Sequence, residues 1–306
     1  MRKTIIAAWF VGACTFDPGV KQATPDAPQG SGSVDAPPGS PDAMIQPTPD
    51  AMPQPQPGDG VVWLDWPDQQ HKSDPTWGAA LTDIANHLPS SYGDQYWDAD
   101  AETAGHETTH GINSELRNYH TGTNQRANGF YVLGDKAAIV LEPNIRKSDV
   151  NAYVPASLRG PRYDTYLVGQ TAWDDTPLYL WDEWDAYING AEVAIDQEQH
   201  GLWKGGWTDA VMGPLEFNVY ALAEGMAVKA KDPSYFASNT QFKEFMAWQI
   251  RRAMDRYRTG SVMTDFAWTD QDDYYTKLET SSDAAALRQF ARDTYGDAWV
   301  QQVLGF

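Results

Sequence analysis

From residue 61 onward the chain reads as apolar-periodic segments separated by Gly- and Pro-rich breaks. Val61 to Trp66 alternates apolar and polar side chains, the pattern of a half-buried strand. After Pro75, Thr76 to His87 carries Trp77, Leu81 and Ile84 on one side, with Leu88 just beyond, and predicts an amphipathic helix. Pro89 to Asp98 is a loop rich in Tyr and Trp. Ala101 to Asn118 predicts a second helix, with Asp98 or Asp100 as N-cap, Glu102 in the first turn and no internal proline. Gly129 to Leu133 and Ala137 to Glu142 are apolar, β-branched runs joined at Gly134-Asp135, a hairpin signal. Ile145 to Gly169 is mixed, and Pro177 to Gln199 predicts a long helix. Pro214 to Lys231, Gln241 to Arg258 and Asp283 to Leu304, broken near Gly296, are helical in period. The plan is α+β: a small β-rich region flanking the Ala101–Asn118 helix, then a helical C-terminal lobe.

The first 60 residues are a different material. Met1-Arg2-Lys3 is basic, and Thr4 to Ala13 is apolar but too short to span a bilayer. Val11-Gly12-Ala13-Cys14 resembles the lipobox of bacterial lipoproteins. That resemblance implies a signal peptide over 1–14, lipidation at Cys14, a membrane anchor and, with Thr15 next, an outer-membrane or cell-surface location. Residues 15–60 are Pro, Asp, Ala, Gln, Gly and Ser, with a recurring unit at Pro25-Asp26-Ala27, Pro41-Asp42-Ala43 and Pro49-Asp50-Ala51. Such a segment cannot bury a core and predicts a disordered tether. The folded body is then 61–306, expected to be monomeric. Cys14 is the one cysteine, so no disulfide forms within the chain. The net charge of -20 argues against a nucleic-acid partner. Asp270, Asp272 and Asp273 do not complete an EF-hand loop and read as a solvated acidic turn.

The chemistry concentrates in His106-Glu107-Thr108-Thr109-His110, an H-E-x-x-H run in a chain with only six histidines. On a helix, His106 and His110 project from one stripe and can share one metal, Zn2+ by this signature. Glu107 is rotated about 100° from His106, which places its carboxylate beside the metal as a general base. The motif resembles that of zincin metallopeptidases, which implies a zincin-like α+β fold with the active site between its two parts. A catalytic zinc takes three protein ligands and water. The metzincin continuation fails, because Asn113 and Leu116 stand where it has Gly and His, and His120 is wrongly spaced. Leu180-Trp181-Asp182-Glu183-Trp184-Asp185-Ala186 resembles the second gluzincin helix. That implies Glu183 as third ligand, Asp182 behind it and Ala186 as a small position. Glu192 is the competing glutamate, nine residues away on the opposite face. The stripe of Asp185, Ile188, Asn189, Asp196 and Gln199 around it reads mostly as solvent-facing, which favours Glu183.

Arg117 continues the His110 stripe and needs a carboxylate partner, while Asn113 either orients a ligand or satisfies a buried group. Tyr179, Tyr187 and His200 are candidate donors to an oxyanion. Trp173, Trp181, Trp184, Trp203 and Trp207 either fill the core or wall a cleft suited to proline-rich or glycosylated substrates. The expected activity is a zinc endopeptidase acting on peptide or protein substrates. A zinc hydrolase of glycans or glycoconjugates and a non-catalytic surface binding lipoprotein are the alternatives.

Overall fold

The computed structural model describes residues 55–93 and 100–306. The lipobox with Cys14, the tether, and the loop residues 94–99 with the alternative cap Asp98 lie outside the described residues. No helix among the described residues is long and apolar enough to cross a membrane.

The body begins with strand β1 (Trp63–Asp65), helix α1 (Gly78–His87) and helix α2 (Ala101–Tyr119). Hairpin strands β2 (Ala127–Tyr131) and β3 (Lys136–Leu141) follow, and β3 lies between β1 and β2 in an antiparallel sheet. Phe130 faces Ala138 across the hairpin. Leu133, Gly134 and Asp135 close it with three successive left-handed residues, at φ 68°, 65° and 60°. Helix α3 (Tyr179–Gln199) comes next, then α4 (Met212–Lys231), α5 (Pro233–Ser238), α6 (Thr240–Gly260), α7 (Thr269–Thr280), α8 (Ala285–Tyr295) and α9 (Asp297–Val303). The α+β plan therefore holds in outline, with a small sheet and a predominantly helical body.

Asp100 starts α2 by accepting from the Thr103 N–H at 2.9 Å. The inward face of α2 carries Ile112 and Leu116, both fully buried against the sheet and α1, each stabilising the fold by about 2 kcal/mol. Gly129 of β2 passes so close that a Cβ there would sit 2.3 Å from Leu116 Cβ. On its other side α2 lies along α3. A Cβ at Gly190 would come 3.0 Å from the Glu102 carbonyl and 3.4 Å from His106 Cβ, so the missing side chain sets how closely the two helices approach.

Two expectations need correction. Asp270 and Asp272 are not in a turn but in the first turn of α7, where carboxylates favour the helix N-terminus. The Glu192 side of α3 does not face solvent. Helix α3 packs against α1, α2, α4 and α6, and Asp185, Ile188 and Asn189 are fully buried. Its polar groups are matched instead of solvated. Asp185 accepts from Gln249 at 2.7 Å, Asn189 accepts from Arg252 at 2.7 Å, and Glu192 accepts from Arg256 of α6 at 2.7 Å.

Candidate metal centre

Helices α2 and α3 run antiparallel, and their contact brings three donor atoms together. His106 Nε2 and His110 Nε2 are 3.1 Å apart. Glu183 Oε2 lies 3.6 Å from the first and 3.4 Å from the second. The three residues form a group able to hold a metal ion. Glu183 Oε2 is buried and accepts no hydrogen bond, an arrangement that costs free energy unless something positive completes it. The other oxygen, Oε1, accepts from the Tyr179 hydroxyl at 2.6 Å.

The orientation of His110 is set from behind. Its Nδ1 lies 3.2 Å from Asp182 Oδ1, so that nitrogen donates to the carboxylate and Nε2 is turned inward. Asp182 is itself held by Asn113 Nδ2 at 2.8 Å and Arg117 Nη1 at 3.4 Å. These are the partners the sequence asked of both residues. Asn113 also donates to Asp185 and accepts from the Tyr131 N–H at 2.8 Å, so it ties the centre to β2. Burial opposes charge on His110, yet the Glu183 and Asp182 carboxylates raise its pKa well above the usual imidazole range. Burial likewise opposes charge on Glu183, and His110 and His106 hold it well below the usual carboxylate range. A cation between the three atoms would take the place of the proton that these carboxylates hold on His110.

Glu107 is half-buried, one residue along from His106, and has no hydrogen-bond or ion-pair partner among the described residues. Tyr187 sits one turn beyond Glu183, with its ring edge-on to His106 at 4.6 Å between centroids. Its hydroxyl is 3.0 Å from that of Tyr166, a residue the sequence reading passed over. Tyr166 belongs to a π-helical turn, Tyr163–Gly169, a form frequent at functional sites. Burial, followed by the charge of Glu183, raises the Tyr166 pKa, so both phenols stay protonated. In such a pair one hydroxyl donates to the other, and the acceptor's own proton stays free to donate onward. Arg162 lies over the Tyr187 ring at 4.9 Å and pairs with Asp209 at 2.9 Å and Glu216 at 2.8 Å.

The remaining candidates separate. Tyr179 is bound to Glu183 and positions it. His200 caps the far end of α3, exposed, 3.0 Å from Asp196. It is 17 residues past Glu183, about 25 Å along a helix at 1.5 Å per residue, and is not brought to the centre. His120 pairs with Glu115 at 3.4 Å on the surface. Trp181 and Trp184 fill the core, and Trp203 packs partly buried against it, whereas Trp173 and Trp207 are exposed.

A second group, Asp68, His87 and Asp135, also meets the distance requirement for a metal. His87 is buried, stacks on Tyr131, and has Nδ1 2.7 Å from the Asp83 carbonyl and Nε2 2.9 Å from Asp135 Oδ1. No protein-family model matches the chain, and no curated protein or solved structure matches it significantly.

Proposed function

We propose that this chain is a zinc-dependent peptidase, with His106, His110 and Glu183 as the metal ligands and Glu107 as the general base. The observation that carries the reading is the convergence of two imidazole nitrogens and an unsatisfied buried carboxylate oxygen, at 3.1, 3.4 and 3.6 Å from one another. A tetrahedral ion with ligand distances of about 2.05 Å needs its donors about 3.3 Å apart. The two-nitrogen, one-oxygen set also suits zinc chemically. When bound there, zinc lowers the pKa of water to about 7 and polarises a carbonyl.

The protein's own groups do the rest. Glu107 takes a proton from the attacking water as the water oxygen bonds to the scissile carbonyl carbon. As the C–N bond breaks, Glu107 passes that proton to the leaving amine. The Tyr166–Tyr187 pair offers a phenolic proton to the oxygen that becomes negative. Asp182 and Tyr179 hold His110 and Glu183 in place throughout. Glu107 supports an enzyme over a structural metal site, which has no need of an unpaired carboxylate beside its ligands. In this reading the peptidase is exported and held at a membrane through Cys14, so a Cys14→Ala chain should leave the membrane fraction.

The test is to incubate the purified chain with a diverse peptide library, with and without a chelator. Cleavage should occur, stop on chelation and return with zinc. Glu107→Gln should retain zinc and lose 10²–10⁴-fold in rate, or more. Cleavage indifferent to chelator, or a Glu107→Gln variant with normal turnover, contradicts the reading.

A further inference from the structure

Asp182 and Glu183 are consecutive on α3, and each is held by a side chain from elsewhere: Asp182 by Arg117, Glu183 by Tyr179. Both of those side chains meet Trp173. The indole lies parallel to the Tyr179 ring, at 4° and 5.7 Å between centroids. The Arg117 guanidinium carbon sits 5.3 Å from the indole centroid. One residue thus contacts both groups that hold these two carboxylates.

Its backbone is unusual. Trp173 has φ +62°, a left-handed conformation that a bulky side chain rarely adopts and that persists only where the surroundings impose it. Here they do. The Lys147 N–H donates to the Asp174 carbonyl at 2.8 Å and the Ser148 N–H to Asp174 Oδ1 at 2.9 Å. Arg126 donates to Thr176 Oγ1 at 2.8 Å, Lys147 Nζ to the Gln170 carbonyl at 2.6 Å, and Gln170 Nε2 to the Tyr179 hydroxyl at 3.0 Å. Core packing does not account for a tryptophan here, because Trp173 is 39% exposed while Trp181 and Trp184 fill the core.

We propose that Trp173 is a positioning residue of the metal centre, bracing Tyr179 and Arg117 so that Glu183 and His110 present their donor atoms in the geometry a metal needs. The inference rests on the reading of His106, His110 and Glu183 as a zinc site. It concerns this chain's own residues toward that ion and not the hydrolysis step. Loss of an outer partner of a metal ligand typically lowers metal affinity 10–100-fold.

The test is a zinc titration of the metal-stripped full chain against a chromophoric chelator, with melting temperatures measured on the metal-free protein. Trp173→Gly removes the ring but suits the left-handed backbone. It should bind zinc about 10-fold or more weakly with the metal-free melting temperature kept. Trp173→Phe supplies a ring for Tyr179 and Arg117 and should restore most of the affinity. Asp182→Asn, which alters an outer partner directly, sets the scale. The visible spectrum of the cobalt-substituted chain should change in Trp173→Gly and return in Trp173→Phe. Wild-type affinity in Trp173→Gly overturns the inference. So does a Trp173→Phe variant as weak as Trp173→Gly, or an affinity loss that only follows melting in both variants. A wild-type chain that binds no zinc overturns the underlying reading, and the inference falls with it.

Discussion

Two histidine–carboxylate clusters, one where α2 meets α3 and one where α1 meets the hairpin turn, can by distance alone both hold a metal. At His106, His110 and Glu183 the ring nitrogens face one another and a carboxylate oxygen that has no hydrogen-bond donor. At His87 each ring nitrogen faces its own oxygen, the Asp83 carbonyl on one side and Asp135 on the other. The ring thus lies between two acceptors, with the Asp68 and Asp83 carboxylates also 3.6 Å from Nδ1. The first cluster turns two ring nitrogens and a carboxylate oxygen toward one point, whereas the second is a set of hydrogen bonds pinning α1 to the hairpin turn. Unmet lone pairs, more than ligand proximity, distinguish a metal site from a structural histidine.

The largest expected effect that sharpens this contrast comes from removing His87. His87→Ala strips the partners from the Asp83 carbonyl and from Asp135, and should destabilise the domain by about 1–3 kcal/mol with zinc affinity unchanged. Denaturant unfolding and zinc titration of the same variant check both halves. A His87→Ala chain of wild-type stability but weakened zinc binding would reverse the roles of the two clusters.

A smaller effect is the dependence on pH. Burial raises Asp185 to about 7 and Glu142 to about 8, and the carboxylates beside His110 raise it as well. For each of these groups the folded chain holds its proton more tightly than the unfolded chain. The stability they contribute is full below the unfolded pKa values, about 4 for the two carboxyls, and is lost as pH rises through the folded ones. The metal-free domain should therefore melt lower at pH 8 than at pH 5. Zinc displaces protons from its ligands, so the increment it adds should be larger at pH 8. Melting curves at both pH values, with chelator and with zinc, test the sign. A metal-free domain that melts higher at pH 8 would contradict it.

Much of the centre was legible in the chain. The H-E-x-x-H spacing, a cap at Asp98 or Asp100 and the helical period of 101–118 made α2 and the direction of both histidines legible, because these depend on local geometry. Glu183 was legible because small residues near it, Ala186 and Gly190, mark the side where another helix approaches. The solvent face assigned around Glu192 was an error of a specific kind. Polar side chains on a helix read as hydrated unless their partners are known, and Gln249, Arg252 and Arg256 lie about 60 residues further on, in α6. Tyr166 carried no signal of its own, and Trp173 read only as a core or cleft-wall tryptophan. They reach the centre through an irregular segment of short helical turns and a left-handed residue, and no periodicity announces such a path. His200 looked attractive by adjacency to the helix end, but the length of α3 takes it away from His106, His110 and Glu183.

One cluster should bind zinc and the other should not. The direct measurement is the zinc stoichiometry of the metal-stripped chain, determined by titration for the wild type and for Glu183→Ala. One equivalent in the wild type, with tight binding abolished in Glu183→Ala, is the predicted result. No bound zinc, two tight equivalents, or one equivalent that survives Glu183→Ala would contradict it.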